Sequence, residues 1–182
     1  MATQVIVISG PPGAGKTSVA EALIERFDRM LLVEVEELRA MVRAGYRDPW
    51  AGDRQAAEQL EMAVRNACAL ARESTAMRYA VIIVDVVHPS EAARYRELLA
   101  PLAPESPAHL VTLLPRLEVA LERDAPRGEN SIPDRVRAVH EELTAARAEL
   151  PGVILDTSDD ANARISADRV QDAVARGLAL LG

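Results

Sequence analysis

The sequence is poor in cysteine, lysine, aromatic rings and long apolar runs, and each scarcity excludes something. Cys68 is the only thiol in 182 residues, so neither an internal disulfide nor a cysteine-based zinc site can form, and a reducing cytosol is the expected setting. Cys68 itself is expected in the core. No stretch approaches the ~20 consecutive apolar residues of a membrane span, and no basic residue precedes the short apolar run near the N-terminus. The chain is therefore expected to be cytoplasmic, with neither a membrane anchor nor a secretion signal. Positive charge is short as well: 21 Lys+Arg against 28 Asp+Glu give a net charge of -7, a field that repels polyanions and argues against a nucleic-acid partner.

What is present is ordinary for a folded protein. Hydrophobic residues make up 49% and charged residues 27%, too apolar for a disordered chain. The length suits one domain spanning 1–182.

Along the chain, two patterns alternate. Residues 4–9 form a β-branched run of the kind buried on both faces of a parallel sheet. From Lys16 to Phe27 the apolar period lengthens to that of a helix, with Val19, Ala20, Leu23, Ile24 and Phe27 on one side. Further strands are predicted at Leu31 to Val35, Tyr79 to Val84, Leu110 to Leu114 and Gly152 to Leu155. Helices are predicted at Glu36 to Ala44, 54–77, Pro89 to Leu99, Arg116 to Asp124, Asp134 to Leu150 and Ser166 to Leu181. Five alternations of this kind predict a parallel five-stranded α/β sheet covered by helices on both faces. In such sheets ligands bind at the carboxyl ends of the strands, so the residues just after each strand are the candidates for chemistry.

After the first strand comes Gly10-Pro11-Pro12-Gly13-Ala14-Gly15-Lys16-Thr17-Ser18, which satisfies G-x-x-x-x-G-K-[ST] at every fixed position. Glycines let the backbone curl so that successive N–H groups point inward, and the following helix adds its positive end. The pattern predicts a cradle for the phosphates of ATP, with Lys16 on the β- and γ-phosphates and the Thr17 hydroxyl on Mg²⁺. Lys16 is the only lysine among the 21 basic residues. Asp85 closes the apolar third strand and is a second candidate magnesium ligand, or else a helix cap.

The second strand runs into Glu34-Val35-Glu36-Glu37-Leu38-Arg39. Glu36 is the candidate base for an acceptor hydroxyl, and Arg39, three residues on, shares its helical face and can orient a polar or anionic group. The plainer alternative makes these acids solvated helix-start residues, with Arg39 paired to one of them. Arg123 and Arg127 flank the turn-rich segment 125–133 and are candidates to close over the triphosphate. Between Arg116 and Glu149 there are six Arg and eight acids, so a lid at about 124–134 rests on two particular arginines rather than on a basic patch. Trp50, the sole tryptophan in a chain with 3% aromatics, either walls the acceptor pocket or plugs a gap under the sheet, with the plug favoured. Asp156-Thr157-Ser158 either line a base pocket or form a capping turn. His88, His109 and His140 show no metal or triad spacing.

With cradle, acid-x-x-Arg and paired lid arginines in place, the chain resembles the small P-loop kinases, nearest the zeta-toxin, chloramphenicol-phosphotransferase and polynucleotide-kinase-like group. The resemblance implies sheet order 2-3-1-4-5 and transfer of the ATP γ-phosphate to a hydroxyl of a small metabolite, sugar or antibiotic. It also implies Glu36 as base, Arg39 at the acceptor, and Arg123 and Arg127 at the phosphates. Two departures are visible: the family's strand-two acid is commonly Asp, and its third strand often ends in two acids where this chain has Asp85-Val86. A polynucleotide 5′-hydroxyl kinase and a nucleotide switch that transfers phosphate only to water are the alternatives.

Overall fold

The computed structural model describes residues 3–102 and 106–181. In chain order the elements are β1 (Val5–Ser9), α1 (Lys16–Ile24), β2 (Met30–Glu34), α2 (Val35–Ala40), α3 (Arg54–Ala76), β3 (Ala80–Val84) and α4 (Pro89–Leu99). There follow β4 (Ala108–Leu113), α5 (Leu117–Asp124), a 3-10 turn (Ala125–Asn130), α6 (Pro133–Ala145), β5 (Val153–Leu155) and α7 (Ala163–Ala175).

All four strand pairings are parallel, in the order β2-β3-β1-β4-β5. Because side chains alternate across a strand, β1 feeds two cores. Val5 and Val7 join Val33, Val81, Ile83 and the buried faces of α3 and α4, including Tyr95. Ile6 and Ile8 join Ile82, Val84 and the apolar stripes of α1 and α7. α6 packs separately, setting Val139 and Leu143 on Leu114 and Val86. Those two are residues just beyond β4 and β3, so α6 lies across the carboxyl edge of the sheet.

Several boundaries differ from the periodicity reading, each for a local reason. α1 stops at Ile24, where the amides of Arg26 and Phe27 bond three residues back instead of four. α2 stops at Ala40, since Met41 and Val42 likewise make three-residue bonds before Gly45 turns the chain at φ 71°. α6 ends at Ala145, well before Leu150, in a turn running to Glu149. The last helix spans Ala163–Ala175 instead of reaching Leu181: Gly177 takes a left-handed φ of 70°, as a residue just past a helix end does. The chain then returns beside β4, with Leu110 N to Ala179 O at 2.7 Å and Leu181 N to Ala108 O at 2.9 Å. That return pairs the part of the β4 edge that the short β5 leaves uncovered. Among the described residues no helix is long and apolar enough to cross a membrane.

Candidate active site

The cradle is built on backbone that side chains would obstruct. Gly10 and Gly13 adopt φ of 145° and 76°, and a Cβ at either position would collide with a carbonyl oxygen, that of Leu113 or of Ala120. The turn closes with Ala14 N to Pro11 O at 3.1 Å, and α1 begins at Lys16. Pro11, Pro12 and Gly15 complete the curl, and Thr17 and Ser18 sit exposed in the first helical turn. No acidic residue occupies that turn, so its amides and dipole face outward unneutralised.

Lys16 Nζ donates to Gly10 O at 2.9 Å and Pro11 O at 3.1 Å. Burial lowers its pKa to about 8, against the attraction of Asp85, Glu36 and Glu34, while Arg127 reinforces the lowering. Groups from four other elements thus converge electrostatically on this one ammonium. At neutral pH it keeps its proton and so can serve an anion.

Asp85, just past β3, is the acid nearest that ammonium in effect. Its Oδ2 accepts from the Tyr95 hydroxyl and its Oδ1 from Val86 N, each at 2.8 Å. Burial raises its pKa to about 6, opposed by those two hydrogen bonds and by Lys16. Each carboxylate oxygen has one protein donor, which leaves lone pairs for a cation. Among the described residues no group of three or more metal-ligating side chains occurs. A hard ion here would therefore lean on Asp85, the Thr17 hydroxyl and phosphate oxygens, the donor set that suits Mg²⁺.

β2 and β3 pair with Glu34 opposite Val84, which carries the β2 end to the neighbourhood of Asp85. Val35 points into the core at 1% exposure, and Glu36 is exposed. Arg39 is not paired to a neighbouring acid, as the plainer alternative had it: it is buried at 6% exposure, approaches no acid among the described residues, and donates from Nη2 to Arg47 O at 3.4 Å. Trp50 is not a plug. It is 46% exposed, and its ring lies 3.3 Å from the Arg135 guanidinium carbon.

The two lid arginines separate. Arg123 donates to Thr157 O at 2.9 Å and to Ala14 O at 3.5 Å, tying α5 to the back of the cradle and to the loop after β5. Arg127 stays near Lys16, with the buried Asp124 at 3.6 Å. Asp124 also accepts from Ser131 Oγ and Ile132 N at 2.8 Å each, tying down the turn-rich segment, which forms a 3-10 turn over Ala125–Asn130. Asp156 accepts from Ser158 N at 2.9 Å, the geometry of a capping turn, one of the two alternatives for that triplet.

Sequence reading missed Tyr95 as the donor to Asp85, although its place on the buried stripe with Ala92 and Leu99 was legible. It also missed His88, which approaches Glu91 at 3.2 Å and Glu142 at 3.1 Å and links the β3 end to α6. Glu91 raises the His88 pKa through a hydrogen bond, with Glu142 adding to it against burial. A concavity between the end of α6 and the start of β5, with Leu150 and Ile154 in its wall, touches none of the predicted site residues.

A family model described as an AAA domain matches residues 5–153, so the chain belongs to that family. No curated protein matches the sequence. Among solved structures, the tunicamycin resistance protein of Deinococcus radiodurans is 24% identical with a TM-score of 0.64, covering 98% of each chain. Shikimate kinase from Acinetobacter baumannii is 20% identical with a TM-score of 0.62 over 96% of this chain and 94% of that one. A gluconokinase from Sinorhizobium meliloti is 21% identical with a TM-score of 0.63 over 96% and 93%. At such identities the likeness establishes the fold, a P-loop domain with strand order 2-3-1-4-5 as the resemblance implied.

Proposed function

We propose that the protein is a single-domain, cytoplasmic, ATP- and magnesium-dependent phosphotransferase that moves the γ-phosphoryl group to a hydroxyl of a small molecule. The observation that carries the reading is the setting of Lys16: its Nζ is held by the carbonyls of Gly10 and Pro11, and its charge feels Asp85 just past β3, Glu34 and Glu36 from β2 and α2, and Arg127. Glu36, exposed just past β2, offers a base to an acceptor hydroxyl. The small-molecule kinases among the structural neighbours point the same way.

In this reading Lys16 leaves the carbonyls of Gly10 and Pro11 to meet the β- and γ-phosphates. Thr17 and Asp85 would hold Mg²⁺, which would supply screening of the negative charge on the phosphate oxygens. Glu36 accepts the proton of the acceptor hydroxyl as that oxygen bonds to the γ-phosphorus. The bond from the γ-phosphorus to the β,γ-bridging oxygen breaks, and ADP departs. Arg127 neutralises charge on the transferring group, Arg123 braces the cradle and the nucleotide end, and Arg39 supports the acceptor side.

The test is Glu36→Gln. It should leave nucleotide affinity within about twofold and slow transfer by ~10²–10⁴, the usual range for a removed general base. Unchanged turnover would remove Glu36 from the mechanism. Offering 5′-hydroxyl oligonucleotides beside small alcohols separates the nucleic-acid alternative, which the net charge of -7 disfavours.

A further inference from the structure

Two arginines around the segment that follows α2 carry a buried Nε without a partner. Arg47, Arg127 and Arg137 each approach an aspartate, whereas Arg39 and Arg135 approach no acid among the described residues, and the Nε of each is buried without a partner. Both hold the same short segment. Arg39 donates to Arg47 O at its start, and Arg135 stacks on Trp50 at its tip. Asp48, the acid within the segment, is turned inward on itself, accepting from Trp50 N at 2.8 Å.

The contact has a definite place in the topology. The segment hangs from β2, at one edge of the sheet, while α6 belongs to the β4–β5 side, and β3 and β1 lie between them. α6 is seated on Val86 and Leu114, and His140 on the same helix contacts Pro115 O at 2.8 Å. The Trp50–Arg135 stack therefore bridges the carboxyl edge of the sheet on the side of Glu36 and Asp85. The Arg135 guanidinium, its carbon 3.3 Å from the Trp50 ring centroid and its Nε buried without a partner, has N–H groups not committed to an acid, and their planar arrangement matches a planar or tetrahedral oxyanion.

Resting on the phosphotransferase reading, we propose that the acceptor bears an anionic group, a carboxylate or a phosphate, bound by Arg135 on its Trp50 platform, with the unneutralised Arg39 adding to the attraction. The acceptor class is then a hydroxy acid or a phosphorylated alcohol. Arg135 and Trp50 select it, and neither takes part in the chemistry.

The test is an acceptor panel in which each hydroxy acid or phosphorylated alcohol is paired with its uncharged amide or parent alcohol, starting with glycerate, glycerol 3-phosphate and glycerol. ATP consumption and the emission of Trp50 are both recorded, with Mg·ADP filling the nucleotide site in the emission arm. Charged members should accelerate ATP use at least tenfold over their neutral partners and shift Trp50 emission saturably. Carboxylate hits and phosphate hits identify which anion is meant. Arg135→Gln should raise the acceptor KM about ten- to a hundredfold, the worth of a charge-assisted hydrogen bond, with a smaller change in kcat. Arg137→Gln, one helical step away and exposed, should match wild type. Neutral partners used equally well, or an emission response that survives Arg135→Gln, would overturn the proposal. If no member is phosphorylated, the phosphotransferase reading fails, and the anion site is judged on emission alone: silence toward every anion ends it too.

Discussion

Replacing Asp85 with asparagine should stabilise the protein while disabling it. Burial lifts this carboxyl from 3.8 to about 6, and each pKa unit is worth 1.36 kcal/mol, so keeping it ionised at pH 7 costs the fold about 3 kcal/mol. Asparagine removes that cost and fits the same place: its oxygen can keep the bond from Val86 N, and the Tyr95 hydroxyl can rotate to accept from its amide. Part of the gain is returned, because Asp85 is also the leading attraction on the buried Lys16 ammonium. We expect a net gain of about 1–2 kcal/mol, or roughly 2–8 °C in Tm for a chain of this size.

The pH dependence fixes the cause. A carboxyl whose folded pKa lies above its unfolded value binds protons more readily in the folded state, so wild type gains stability as pH falls from about 6 toward 4. The variant lacks this gain, and its advantage should be full at pH 7 and shrink by about 1.4 kcal/mol per unit below pH 6. Thermal melts of both proteins in magnesium-free buffer, from pH 7.5 to 4.5, measure it. A variant that melts below wild type at pH 7, or a gap that ignores pH, would refute the reasoning. The magnesium response of nucleotide turnover should vanish in the variant.

Further outcomes follow from the same geometry. Gly13→Ala should cost several kcal/mol or prevent folding, since the position combines a left-handed φ with contact against the Ala120 carbonyl; chemical denaturation checks this. Arg123→Met should raise the nucleotide KM several-fold with a smaller effect on kcat, because this guanidinium braces the backbone of Ala14 and Thr157; steady-state kinetics decide. Cys68 is fully buried, and burial pushes its thiol up to about 12, so a thiol-reactive dye should label it in denaturant and leave the native protein unlabelled for hours.

The fold was largely written in local pattern. Continuous β-branched runs located the inner strands, and the glycine-rich turn located the cradle, because both signals arise from neighbouring residues obeying one steric rule. The strand order was different in kind: spacing gave alternation, and only the resemblance to a family supplied 2-3-1-4-5. The site beyond the cradle was legible in its members but not in their arrangement. Glu36 and Arg39 share a helical face at three-residue spacing, yet one is exposed and the other is buried with its Nη2 on Arg47 O in the segment that follows α2. His88 reaching Glu142 and Trp50 meeting Arg135 join elements far apart in sequence, and Tyr95 reaching Asp85 depends on how α4 packs beside the end of β3; no periodicity encodes such meetings. Where one residue organised a whole segment, as Asp124 does for the lid turn, its single letter gave no sign of that role.

The account stands on the cradle, and calorimetric titration of Mg·ATP into wild type and into Lys16→Ala tests it most directly. Wild type should release heat that saturates at one nucleotide per chain, and the variant should show none over the same range. A flat wild-type titration, or a variant indistinguishable from it, would contradict the central claim.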